Sequence, residues 1–290
     1  MGSHKNLTKK EAQEKIKLIT LDFDGTLLQK DQTWISFRNI HALRECQRRG
    51  IICVPCSGRS ANMFPPQIDR DMTFRYWVTA AGSRVIDRWT GEVLYCETFT
   101  PEQGADLARL YEGQGIYSEV AADGSLYFEQ AVLDEIWKYP VPPHHVWYVD
   151  SGKQIGVRGK LSEFILQEQL GVEKYNLYGV PEDKQDAIIE GLKVRPYVEF
   201  LDGSRKDIQF YSTNTDRVAA MQTLLDRLGL TFDNVMSLGD SMGMDASMIT
   251  RAGLGIAMEN GDERLKEVAD DVTARFDQDG VAKAIEKWLL

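Results

Sequence analysis

The sequence predicts an α/β chain whose mostly parallel sheet is interrupted by an inserted α+β region. Three patterns lead there. Apolar strand-like runs alternate with amphipathic helix-like stretches up to residue 79, as in βαβ units. Helices mixed with short aromatic strands then replace that pattern over residues 100–203. The alternation returns from Ile208 to the end.

Taken in order, residues 18–22 read as a strand. Residues 34–49 read as a helix, with Ile35, Ile40, Leu43 and Cys46 on one face and Gly50 as a stop. Residues 51–55 are a second strand, followed by the polar turn Cys56-Ser57-Gly58-Arg59-Ser60, and 76–79 a third. Residues 85–94 read as a hairpin around Trp89-Thr90-Gly91. In the middle, 102–111, 161–169 and 183–192 read as helices, and 125–129, 145–149, 175–178 and 197–201 as strands. The stretch Tyr139-Pro140-Val141-Pro142-Pro143 interrupts any regular element. Residues 208–211 resume the alternation, then a helix over 218–228 capped by Gly229, strands at 235–238 and 254–258, and a closing helix over 281–289. The expected domains are a discontinuous core of residues 1–84 and 206–290 and an insert of residues 85–205.

Composition narrows the function. The 290 residues carry 44 Asp+Glu against 34 Lys+Arg, a net charge of −10. That argues against a general nucleic-acid or anionic-membrane surface. There is no apolar stretch of bilayer-spanning length and no visible signal peptide. Cys46, Cys53, Cys56 and Cys96 read as free thiols, so a cytoplasmic chain is expected. Cys53-x-x-Cys56 has redox spacing but lies in an apolar strand, where packing is the simpler role.

The chemistry gathers at strand ends. Asp22 and Asp24 are two apart and share a strand face, and Gly25 permits a tight departure behind them. Ser57-Gly58-Arg59 follows the second strand, Arg217 opens a helix after the insert, and Gly239-Asp240-Ser241-Met242-Gly243-Met244-Asp245 follows a later strand. Three of these four pieces follow apolar strands, so they would meet at the carboxyl edge of the sheet, where open α/β sheets bind ligands.

Together these pieces resemble the haloacid dehalogenase (HAD) superfamily, and more narrowly its Cof-type phosphatases with a large α/β cap. Motif order, cap position and the closing Gly253-Leu254-Gly255-Ile256-Ala257-Met258-Glu259-Asn260 carry the resemblance. It implies a Rossmann-like core with an inserted α+β cap, and a Mg²⁺-dependent phosphatase acting on a small phosphorylated metabolite such as a sugar phosphate. Asp22 would be the nucleophile and Asp24 the general acid and base. Ser57 and the amides of Phe23 and Gly58 would hold the phosphoryl oxygens. Asp22, Asp240 and the carbonyl of Asp24 would bind Mg²⁺, with Asp245 an outer or direct ligand. Four carboxylates at one spot would repel a phosphate, and a divalent cation reverses the local sign.

The chain departs from the family pattern in three places. Arg217 stands where a lysine is usual; it keeps the charge but is bulkier. The fourth motif carries an extra residue, which places Asp245 five positions after Asp240 and puts Met244 where an asparagine is usual. Ala81-Gly82 replaces an Asn-Gly pair. Two other readings therefore stay open: a sugar phosphomutase or phosphotransferase, and a weakly active phosphate-binding regulator. A monomer or small homo-oligomer is expected.

Each motif also has a plainer reading. Asp22 and Asp24 alone could be a strand-end turn. A calcium loop fails because Thr26 and Leu27 break the run of oxygen ligands. Asp240 and Asp245 could be ordinary acids at a helix start, and Arg217 a solvated helix-start residue. His144-His145 beside prolines reads as a loop rather than a metal site. Trp137, Tyr139, Trp147 and Tyr148 read as core of the insert, with room for some to line a substrate pocket.

Overall fold

The computed structural model describes residues 7–142, 145–201 and 205–290. Contacts divide the chain into two compact units: residues 1–58, 64–95 and 217–290, and residues 59–63 and 96–216.

The first unit holds a five-stranded parallel sheet. Its strands are β1 (Leu18–Leu21), β2 (Ile52–Pro55), β12 (Val235–Gly239), β13 (Leu254–Met258) and β14 (Asp271–Thr273), numbered along the whole chain, in the order β14-β13-β12-β1-β2. β1 is an interior strand and fully buried, which is why its residues read as a continuous apolar run. Leu21 lies level with Leu238 on one side and Pro55 on the other, so the residues after all three strands emerge together. A parallel bridge between Cys56 and Val78 attaches β3 (Tyr76–Thr79), which continues into an antiparallel set with β4 (Arg84–Asp87) and β5 (Glu92–Cys96).

Helices Phe37–Arg48, Arg217–Leu228, Met242–Arg251 and Gly280–Trp288 supply the crossovers and coverings. Ser36 caps the first, its Oγ accepting from Asn39 N–H at 3.1 Å. The buried Asn39 in turn accepts from Ala282 N–H at 2.9 Å, tying this helix to the closing one. Leu18, Val54, Val78, Met221, Leu224 and Val235 pack as one core on a face of the sheet.

The second unit is a six-stranded sheet in the order β10-β11-β9-β6-β7-β8. Its strands are β6 (Tyr117–Ala122), β7 (Ser125–Glu129), β8 (Ile155–Val157), β9 (Val172–Tyr178), β10 (Val198–Leu201) and β11 (Ile208–Ser212). It is antiparallel except for the β7–β8 pair. Helices Pro101–Ala108, Leu161–Gln167 and Glu182–Lys193 accompany it, and Leu107, Ile165, Val172, Tyr175 and Ile188 build its main core. Tyr175 and Phe210 stack across β9 and β11 at 4.8 Å.

Several expectations are corrected. Residues 145–149, read as an aromatic strand, are a helix over Val146–Asp150, which buries Tyr148 and leaves Val146 exposed. Residues 208–211, read as the return of βα alternation, pair antiparallel with β9 and β10. The pattern of β11 is apolar at alternate positions, which cannot distinguish the two sheets. Trp137 is 74% exposed rather than core, whereas Tyr148 is fully buried. His144 lies outside the described residues. His145 is no loop residue: it is 4% exposed, with its Nδ1 2.7 Å from Glu119 Oε1.

Candidate active site

The carboxyl edge of the parallel sheet gathers most of the predicted residues. Asp22 N–H donates to Leu238 O at 3.2 Å, so Asp22 is the first residue past the β1 pairing. The chain then makes one wide turn, closed by Leu28 N–H donating to Phe23 O at 2.9 Å. Gly25 sits in that turn with φ +80°. A Cβ there would come within 2.7 Å of Asp240 Cγ, so both backbone angle and space demand glycine. The Phe23 ring is core, 4.7 Å from Phe64, and leaves only its backbone for the edge.

The fourth motif is locked from several directions. Thr26 Oγ1 donates to Asp240 Oδ1 at 3.1 Å, and Asp240 O accepts from Asp262 N–H at 2.9 Å. Ser241 caps helix Met242–Arg251, accepting from Met244 N–H at 3.3 Å. Asp245, on the first turn of that helix, bends back. Its Oδ2 accepts from the N–H groups of Asp240 (3.0 Å) and Ser241 (2.9 Å). Its Oδ1 accepts from Arg217 Nη1 at 2.8 Å, both side chains being buried. Arg217 is thus no solvated helix-start residue.

Gly82, with φ +102°, packs on the Arg217 backbone, where a Cβ would lie 2.7 Å from Arg217 Cα. Ala80 and Ala81 precede it with φ of +48° and +61°, a left-handed run that alanine tolerates poorly. Ala81 N–H donates to Ser57 O at 3.1 Å, which fixes this turn beside Ser57. Ser57, one residue past the Cys56 bridge, is buried and donates its own N–H to Val78 O.

Carboxylate oxygens of Asp22, Asp240 and Asp245 lie within 4.8 Å of one another. Their charges oppose. Burial, then Asp245, raise Asp22 well above the usual carboxylate range; Asp24 and Asp240 add to the rise, and Arg217 works against it. Burial, with Asp245 and Asp24, lifts Asp240 to about 6. Burial also pushes the Cys56 thiol up to about 11, so it is no nucleophile here. Arg217 Nη2 is buried without a hydrogen-bond partner. A compact, all-oxygen donor set with excess negative charge fits a hard divalent cation such as Mg²⁺, and the unpaired guanidinium nitrogen fits an anion.

Two residues that the sequence motifs contain, but to which they assign no role, take part. Thr26 orients Asp240, and Asn260 joins two loops, donating to Gly25 O (2.8 Å) and accepting from Phe276 N–H (3.0 Å). Their signal is position: Thr26 lies in the turn after β1 and Asn260 two residues past β13, at the edge where the carboxylates gather.

Residues 19–285 match the family model of haloacid dehalogenase-like hydrolases. The chain belongs to that family. This hydrolase is similar to the 5-amino-6-(5-phospho-D-ribitylamino)uracil phosphatase YcsE of Bacillus subtilis, 27% identical over 95% of this chain and 96% of that one. It is also similar to the phosphatase YwpJ of the same organism, 26% identical over 94% of this chain and 100% of that one. A haloacid dehalogenase-like hydrolase from Bacteroides thetaiotaomicron superposes with a TM-score of 0.78 at 25% identity, covering 94% of this hydrolase and 99% of that structure. Among the described residues no helix is long and apolar enough to cross a membrane.

Proposed function

We propose that this hydrolase is a Mg²⁺-dependent phosphatase that cleaves a small phosphomonoester through an aspartyl-phosphate on Asp22. The observation that carries the reading is the Asp22 carboxylate just past the end of β1, clustered with Asp240 and Asp245 while Arg217 is tied to Asp245. An Asp22 oxygen attacks phosphorus as the ester P–O bond breaks, and Asp24 gives its proton to the departing alkoxide. Asp24 then takes a proton from water, whose oxygen attacks phosphorus and frees both Asp22 and phosphate. Ser57 Oγ and the amides of Phe23 and Gly58 hold the phosphoryl oxygens, and the free arm of Arg217 clamps one of them.

Asp22, Asp240 and the Asp24 carbonyl would hold the cation, with Asp245 beside it. Bound there, it would neutralise the carboxylates, keep Asp22 ionised and draw charge from the phosphoryl group. In this reading the second unit, chiefly residues 96–216, is the cap that selects the leaving group. A phosphorylated sugar or polyol is the first class to screen, given the ribityl phosphate in the name of the relative YcsE. The four cysteines are free thiols, which supports a cytoplasmic setting.

The test is hydrolysis of an aryl phosphate and of sugar phosphates, with and without Mg²⁺. Wild type should turn over only with the metal, and Asp22→Asn should lose about 10⁴-fold or more in kcat. Undiminished turnover by Asp22→Asn would overturn the assignment.

A further inference from the structure

We propose that the opposite edge of the same parallel sheet carries a second, non-catalytic site for a nucleotide-class ligand: a flat heterocycle with adjacent donor and acceptor atoms and a phosphate. Two adjoining cavities lie there. One, of about 270 Å³, has Gln47, Ile51, Thr73, Arg75, Tyr76, Trp89 and Leu228 in its lining. The other, of about 450 Å³, is lined by Arg44, Gln47, Arg48, Asp71 and Thr73. Gln47 and Thr73 belong to both, so the two are compartments of one cleft.

The cleft opens where β2 and β3 begin, and Asp22 lies where β1 ends. The four residues Ile52–Pro55 separate it from the turn holding Ser57, about 13 Å of strand. It is therefore not a lobe of the phosphoryl site.

Three features define the ligand. First, both the nitrogen and the oxygen of the Gln47 side-chain amide are buried without a hydrogen-bond partner. An unsatisfied amide in a cleft wall is costly, and a turn of its last torsion presents a donor and an acceptor side by side. That pair complements the edge of a nucleobase. Second, the aromatic wall is rigid. Trp89 Nε1–H donates to Met72 O at 2.7 Å, and the Arg75 guanidinium sits 4.5 Å from the Trp89 ring centre and 4.8 Å from that of Tyr76. Arg75 is itself fixed by Asp87 through Nε (2.9 Å) and Nη2 (2.6 Å). A flat ring would meet a preformed surface there.

Third, the outer compartment offers two exchangeable guanidinium groups. Arg44 pairs with Asp71 at 3.0 Å and Arg48 with Glu45 at 2.8 Å, the arginines being 53% and 63% exposed. Exposed pairs of this kind hold weakly, so a phosphate reached by both arginines competes well for them. Asp71 also accepts from Thr73 N–H (3.0 Å) and Oγ1–H (2.6 Å), so releasing Arg44 does not leave it bare. Gly50 borders the cleft, and a Cβ there would meet nothing within 4 Å.

The experiment titrates AMP, GMP, UMP and CMP by calorimetry into the full chain carrying Asp22→Asn, which prevents turnover. At least one should bind with a dissociation constant below about 1 mM. Adding Gln47→Leu, or Arg44→Ala with Arg48→Ala, should weaken that binding about tenfold or more. The same changes placed in an otherwise wild-type chain should leave aryl-phosphate hydrolysis unchanged, which also shows that each variant folds. Binding that survives both sets of substitutions lies elsewhere and overturns the proposal. So does the absence of binding by all four nucleotides up to about 5 mM.

Discussion

Asp22, just past the end of β1, and Glu119, inside β6, are carboxylates shifted in opposite directions. Burial and three neighbouring carboxylates push Asp22 up, with the Arg217 charge opposing them. Burial would raise Glu119 too, but His145, Asn176 and Tyr117 outweigh it and hold that carboxyl below its ordinary value. Glu119 is 0% exposed; its Oε1 accepts from Tyr117 O–H (3.1 Å) and His145 Nδ1 (2.7 Å), and its Oε2 from Asn176 Nδ2 (3.0 Å). Burial therefore does not decide the state of a carboxylate; the count of donors around it does. A saturated anion holds a fold together, whereas an unsaturated cluster of anions is poised to bind something positive.

The largest effect should come from breaking the saturated site. Glu119→Ala should lower stability by about 3 kcal/mol, because it strands a buried histidine and an amide. Urea denaturation reads this, and an unchanged midpoint would break the comparison. The pH dependence has a definite sign. Glu119 titrates below its ordinary value of 4.5 when folded, so its stabilisation is complete above pH 4.5 and is lost as pH falls through and below it. Glu119→Ala should flatten that acid limb.

Next comes the reverse change at the unsaturated site. Asp22 titrates above its ordinary value of 3.8 when folded, so its charge costs stability at neutral pH. In EDTA, Asp22→Asn should raise stability by about 1–2 kcal/mol, and added Mg²⁺ should narrow the gap by binding the native wild type. A lower melting temperature for Asp22→Asn in EDTA would show the site to be structurally satisfied after all. The smallest effect tests strain at the same edge. Ala81, at φ +61°, should gain about 0.5–1 kcal/mol on replacement by glycine, and calorimetric melting would show the rise.

Legibility tracks locality. The β1 turn, the serine turn after β2, Arg217 at a helix start and Asp240 past β12 were visible because each is written in a few consecutive residues: an apolar run, then a polar turn. The helix Val146–Asp150 was not, because its Val-Trp-Tyr-Val run has strand propensity and only the burial of Tyr148 and a neighbouring polar network overrule it. β6 was not read as a strand at all. Its sequence Tyr-Ser-Glu-Val-Ala-Ala places Glu119 at a fully buried position, which hides the expected alternation.

The sequence by itself determined the parallel core, its strand ends and the residues brought to them, since strand periodicity and glycine placement act within a few residues. Only the tertiary structure decided which carboxylates are short of donors. It bent Asp245 onto Arg217 and the amides of residues 240 and 241, set His145 and Asn176 around Glu119, and left the Gln47 amide unpaired. Those outcomes depend on side chains from distant segments meeting in space, and a hydrogen bond between residues 28 or 57 apart leaves no trace in local pattern.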